Sequence, residues 1–123
     1  MDNARIIIIE DDPMIMDVCR RNLEVKNHRI IGEAATVAAA IDLVDSLKSE
    51  DIDLAVVDGN LTHGARGGDE GEHITALIHQ KLPGVVVVGS SLDGGVRGSD
   101  IDVPKGDAWA LDALVTELPN RPE

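Results

Sequence analysis

Four carboxylates stand where short apolar runs end: Glu10, Asp11 and Asp12 follow Ile6 to Ile9, and Asp58 follows Leu54 to Val57. In an open parallel sheet the carboxyl ends of the strands line one crevice, and ligands bind there. If the two runs are neighbouring strands, these carboxylates converge. Like charges held that close repel, and a proton or a cation must compensate. Oxygen ligands of this kind suit a hard ion such as magnesium, which keeps several waters and takes only a few carboxylates. Taken singly, each residue has an ordinary explanation, because an acidic residue after a strand often only caps the next helix. Asp12 before Pro13 fits that role. Two acidic positions after the first run combined with one after the third are harder to explain in that way.

The elements that must position these groups can be read from hydrophobic periodicity. Ile6 to Ile9, Leu54 to Val57 and Val85 to Val88 are short, mostly β-branched, and followed by polar or turn-forming residues, as buried strands are. His28 to Glu33 is a weaker strand around Ile30 and Ile31. Ile101 to Val103 is weaker again, and Pro104 at its end implies a sheet edge. Helical patterns alternate with the strands. After Pro13, the residues Ile15, Val18, Cys19 and Leu23 share one face. Thr36 can cap a second helix with Val37, Ile41, Val44 and Leu47 pointing inward. A third carries Ile74, Leu77 and Ile78 and ends before Pro83. A last one has Asp107 as its cap, then Leu111, Leu114, Val115 and Leu118. This alternation predicts an α/β chain folded as a three-layer α/β/α sandwich with right-handed crossovers. Two stretches interrupt it: a glycine-rich loop from Leu61 to Gly71, and Leu92 to Asp100, whose Gly94, Gly95 and Gly98 argue against a full helix.

Composition narrows the field. The 123 residues suit one domain, expected over 1–118 with a short tail at 119–123. Trp109 is the only aromatic residue, so the core must be aliphatic, as in a parallel sheet covered on both faces. A net charge of −12 argues against nucleic acid and against an anionic membrane surface, and favours a cation or a basic partner. Cys19 is the single cysteine, which leaves neither a disulfide framework nor a zinc thiolate cluster. With no signal peptide and no membrane span legible, a cytoplasmic location is expected.

Taken in order, these pieces resemble the receiver domains of two-component response regulators. Ile6 to Pro13 is similar to that family's first strand and acidic pair. Asp51 to Leu61 resembles its third strand and phosphoacceptor turn. Leu82-Pro83, Val85 to Val88 and Gly89-Ser90-Ser91 resemble its fourth strand and small hydroxyl residue, and Val103-Pro104-Lys105 its fifth strand and lysine. The resemblance implies a flavodoxin-like parallel five-stranded sheet in the order 2-1-3-4-5. It implies Asp58 as the nucleophile that takes a phosphoryl group from a phosphohistidine. It also implies a magnesium ion held by Glu10, Asp11, Asp58 and the carbonyl of Asn60, with Lys105 and a serine on the phosphoryl oxygens. Either Ser90 or Ser91 can be aligned with the hydroxyl position, and Ser91 is preferred. The implied partners are a sensor histidine kinase or a histidine phosphotransfer protein, and a downstream protein target. The expected role is that of a stand-alone phosphorylation switch or relay intermediate. Loss of the phosphoryl group to water makes it a self-dephosphorylating acceptor more than a turnover enzyme.

The chain departs from the family in four places. The loop after Asp58 is longer by about five residues. The stretch between Ser91 and Lys105 is too short for the usual fourth helix, so that helix is expected to be shortened or absent. Asp102 stands where an aromatic switch residue is common, and Gly106 replaces a proline after the lysine. Two other functions therefore stay open. One is a receiver-fold interaction module that works without phosphorylation. The other is a magnesium-dependent phosphatase, which would need Asp69, Glu70 or a histidine as acid or base. The loop Gly64 to Gly68 lacks the Gly-Lys-Ser/Thr ending of a P-loop. His28, His63, His73 and His79 form no recognisable metal spacing, and Cys19 on an apolar helix face reads as core.

Overall fold

A computed structural model describes residues 4–58, 69–91 and 99–104. Along the chain run β1 (Arg5–Ile9), α1 (Pro13–Val25), β2 (Arg29–Ala34), α2 (Val37–Asp45), a short 3-10 turn (Ser49–Asp51), β3 (Leu54–Asp58), α3 (Asp69–Lys81), β4 (Val86–Ser91) and β5 (Ile101–Pro104). The strands form one parallel five-stranded sheet in the order β2-β1-β3-β4-β5, as expected.

The aliphatic strands split their side chains between the two faces with a period of two. Ile7, Ile9, Ala55, Val57 and Val87 pack with Ala40 and Val44 of α2 and with Ile74, Ile78 and Leu82 from α3 and its end. Ile6, Ile8, Leu54, Val56 and Val88 pack on the opposite face with Met16, Cys19 and Leu23 of α1. Every residue of β3 is buried, which is the condition for a run as continuously apolar as this one.

Local chemistry starts the helices where the sequence placed them. The Asp12 carboxylate accepts the Met14 and Ile15 N–H groups at 2.9 and 3.4 Å, with Pro13 at the first helical position. Thr36 Oγ1 accepts the Ala39 N–H at 3.0 Å. At the far end of α1, Asn27 takes a φ of 69°, a left-handed conformation that Asn tolerates. The chain thereby turns back so that the His28 N–H reaches the Leu23 carbonyl at 3.1 Å.

Three details differ from the sequence expectation. The buried stripe of α1 is Met16, Cys19 and Leu23, while Val18 is 41% exposed. Residues 69–71 are helical, so α3 begins inside the stretch expected to be loop. Strand β4 continues through Gly89-Ser90-Ser91, held by pairing with β3 on one side and β5 on the other. The expected loss of the fourth helix falls on residues 92–98, outside the described residues. The strands on either side leave only residues 92 to 100 to join them. The last helix and the tail also lie outside the described residues, and no helix among the described residues is long and apolar enough to cross a membrane.

The edge strand β2 carries an irregularity. Ile6 pairs with Ile30 but Ile7 pairs with Gly32, so Ile31 is an extra residue. Gly32 sits close under α2, where a Cβ would come within 2.7 Å of Leu43 Cδ1.

At the amino edge of the sheet, polar groups tie neighbouring strands together. Asp53 Oδ2 accepts the Arg5 backbone N–H at 2.8 Å, and both its carboxylate oxygens accept from the Arg5 guanidinium at 3.2 Å. The buried His28 ring accepts the Ala4 N–H through Nδ1 at 3.1 Å, so in this arrangement Nδ1 carries no proton.

Candidate functional site

At the opposite, carboxyl edge, Ile9 is level with Val57 in the β1–β3 register. The residues that follow, Glu10 and Asp58, therefore leave adjacent strands side by side. The Glu10 N–H is bound to the Ala34 carbonyl at 3.0 Å, which fixes the end of β1 to the end of β2. Glu10 is 4% exposed and Asp58 1%, whereas Asp11 is half-buried at the mouth. Carboxylate oxygens of these three residues all lie within 4.8 Å of one another. Asp12 turns away from the group to cap α1.

Burying anionic oxygens this close is unfavourable unless positive charge or a proton compensates. An all-oxygen donor set with one ligand at the solvent side fits a hard divalent cation that retains water, and gives a softer metal no sulfur or imidazole. The residues present thus fit the magnesium that the sequence resemblance implied. Among the described residues this grouping contains no histidine. His28 is engaged at the amino edge, His73 is exposed, and His79 pairs with Asp100; His63 lies outside the described residues. Burial, with the charges of Glu10 and Glu33 adding to it, pushes the Cys19 thiol up to about 12. A thiol so placed is packing, not a nucleophile.

The remaining site residues named from the sequence divide. Ser90 and Ser91 close β4; Ser90 is the register partner of Asp58 and Ser91 that of Pro104. Their hydroxyls, like all of Asn60 and Lys105, lie outside what the structure describes. Among the described residues, Glu10, Asp11 and Asp58 are the three that the fold brings together.

Solved structures share this architecture. The signal receiver domain of a putative LuxO repressor protein from Vibrio parahaemolyticus superposes with a TM-score of 0.72 at 18% identity, over 93% of this chain and 88% of that one. A CheY-like response regulator receiver domain from Methanospirillum hungatei JF-1 gives 0.73 at 20% identity, over 93% and 91%. The chain has the fold of a response-regulator receiver domain. In sequence it is similar to the transcriptional regulatory protein YvrH of Bacillus subtilis (strain 168), with 31% identity over 117 residues. That match takes in 95% of this chain but 44% of YvrH, so the chain spans less than half the length of this relative. No protein-family model matches the chain.

Proposed function

We propose that the domain is a phosphorylation switch or relay intermediate in which Asp58 accepts a phosphoryl group from a phosphohistidine donor. The observation that carries this reading is the buried Asp58 carboxylate with Glu10 and Asp11 oxygens within 4.8 Å of it. In the transfer, an Asp58 carboxylate oxygen bonds to phosphorus as the phosphorus–nitrogen bond breaks. The electron pair stays on the imidazole nitrogen of the donor. The attacking atom is a carboxylate oxygen that has no proton to lose, so the attack needs no general base. Phosphoryl transfer depends mostly on alignment and charge neutralisation.

Magnesium, when bound, supplies that neutralisation at the phosphoryl oxygens. Asp11, Asp58, Glu10 and the carbonyl of Asn60 are the residues that would hold it. Lys105 would pair with a second phosphoryl oxygen and a serine hydroxyl with a third. The pairing of Ser90 with Asp58 across β3 and β4 supports Ser90 for that role over Ser91. Attack of water on the aspartyl phosphate returns the domain to its resting state. The donor is a sensor histidine kinase or a histidine phosphotransfer protein in the cytoplasm, the reader is a protein, and this domain itself contacts no nucleic acid or membrane.

A phosphorylation-independent interaction module is the second reading, favoured by the short stretch of residues 92 to 100 between β4 and β5. The test is intact mass after incubation with magnesium and a small phosphodonor. Wild type is expected to gain one phosphoryl group and Asp58→Asn none. Absence of an adduct, together with no response to a beryllofluoride mimic, would overturn the switch in favour of the module. Rapid multiple turnover of phosphate monoesters would point to a phosphatase.

A further inference from the structure

Strand β2 lies at one end of the sheet and pairs with β1 alone. With a neighbour strand on one side only, its position depends on what packs against its two faces. The extra residue Ile31 decides which groups those are. Ile6 is level with Ile30 and Ile7 with Gly32, so Ile31 and Gly32 turn to the same face of the sheet. Ile31 packs into the aliphatic cluster shared with α2. A Cβ on Gly32 would meet Leu43 Cδ1 at 2.7 Å, Leu43 Cδ2 at 3.2 Å and Ile7 Cγ2 at 3.5 Å. Ile31 and Leu43 fill the space between β2 and α2, and residue 32 has room for backbone alone.

Past the bulge the faces alternate again. Glu33, level with Ile8, turns to α1, where Arg20 Nη1 donates to its two carboxylate oxygens at 3.1 and 3.0 Å. In an unbroken register Ile9 would be level with Glu33, and that carboxylate would point among Ala40 and Val44. Burial there is strongly unfavourable, so the sequence itself favours the bulged pairing. Ala34, level with Ile9, is buried on the α2 side, and its carbonyl accepts the Glu10 N–H at 3.0 Å. That bond lies one residue beyond the last β1–β3 pair, Ile9 with Val57. It holds the backbone of the residue whose carboxylate joins those of Asp11 and Asp58 within 4.8 Å.

We propose that Gly32 is a positioning residue for the site: by letting β2 lie close under α2, it brings the Ala34 carbonyl to Glu10 and so sets the Glu10 carboxylate against Asp11 and Asp58. This rests on the reading of those three residues as a cation site. It adds a control point on the edge strand, two residues from the carbonyl through which it acts. Groups that orient the ligands of a metal site change affinity by about 10–100-fold when they are altered.

Two measurements on the full chain test it. In the first, the magnesium Kd is measured for wild type, Gly32→Ala and Gly32→Val, each also in a Leu43→Ala background. Gly32→Val should weaken magnesium about tenfold. In the Leu43→Ala background that penalty should shrink to about twofold, because residues in contact couple. Gly32→Ala asks Leu43 to give way to a single methyl. It should show the same pattern at about threefold, and it keeps the test decisive if Gly32→Val does not fold. A Kd unchanged in both Gly32 variants, or an equal penalty with and without Leu43, overturns the proposal.

The second measurement is hydrogen exchange without magnesium, at the Glu10 amide and at the Arg5 amide. The Arg5 N–H is bound at the amino edge, to Asp53 at 2.8 Å. In Gly32→Val the Glu10 amide should lose protection about tenfold, with Arg5 within about twofold of wild type. Equal loss at both amides would mean general loosening of the fold and would overturn a positioning role, as would unchanged protection at Glu10. If wild type binds no magnesium, the cation reading of the site fails, and the link from Gly32 to the ion fails with it. Selective loss at Glu10 would then show the Ala34 anchor standing alone.

Discussion

The two edges of one sheet treat charge in opposite ways. At the amino edge, Arg5 and Asp53 meet through the guanidinium and a backbone N–H, and the Arg5 Nη1 also donates to the Glu50 carbonyl at 2.6 Å. The contacts neutralise each other and hold β1 to β3. At the carboxyl edge, three acidic residues are drawn together by the same two strands. An arrangement that only stabilised the fold would resemble the first edge. At the second, carboxylate oxygens of three residues lie within 4.8 Å of one another, an arrangement suited to a bound cation, and that contrast marks the carboxyl edge as the candidate site.

Asp58 is the residue whose loss should separate the two edges most sharply. Asp58→Asn should abolish the phosphoryl adduct seen by intact mass, while leaving the amino edge as it is. Magnesium itself should give the next largest effect. At a hundredfold excess over its Kd, a ligand bound only by the folded state adds about 2.7 kcal/mol to stability. Urea melts with and without magnesium should show that gain in wild type and lose it in Glu10→Gln combined with Asp11→Asn. A persistent gain in the double variant would place the ion elsewhere.

Removing the amino-edge partner should cost less and act differently. Asp53→Ala takes away the acceptor of the Arg5 N–H along with a pair that is partly screened by solvent. A loss of about 1–2 kcal/mol is expected in urea melts, with the magnesium response intact. If the magnesium response fell as well, the two edges would not be independent.

Cys19 gives a pH signature in the alkaline range. Its pKa is raised in the folded protein to about 12 from an ordinary value of 9.0, by burial and then by Glu10 and Glu33. A group raised in this way contributes its full stability below the unfolded pKa and loses it as pH climbs. Stability should therefore decline between about pH 9 and pH 12, and Cys19→Ala should flatten that limb. The smallest effect is expected at the exposed ion pair of Lys81 with Asp45. There Lys81→Ala should change stability by less than about 1 kcal/mol.

Much of the candidate site was legible because Glu10, Asp11 and Asp58 follow strand ends directly. Once Ile6 to Ile9 and Leu54 to Val57 are read as neighbouring parallel strands, Glu10, Asp11 and Asp58 have to meet. Caps were legible for a similar reason: Asp12 and Thr36 act on N–H groups two or three residues away. What the sequence hid was decided by tertiary contact. Polar Gly89-Ser90-Ser91 carries no strand pattern of its own and is extended because β3 and β5 pair with it. The choice of Met16 over Val18 depends on how α1 is rotated over the sheet, since both lie on overlapping helical stripes. The contact between His79 and Asp100 joins residues 21 apart through the packing of α3, and no local signal marks it.

The extra residue in β2 has a consequence beyond the domain's own packing. A sheet edge of evenly spaced N–H and carbonyl groups is a template on which a strand from another molecule can add. At Ile31 that spacing is interrupted, and the edge twists away from the flat geometry an incoming strand would need. The outer side of β2 is thereby a poor template for a strand from another copy of the domain.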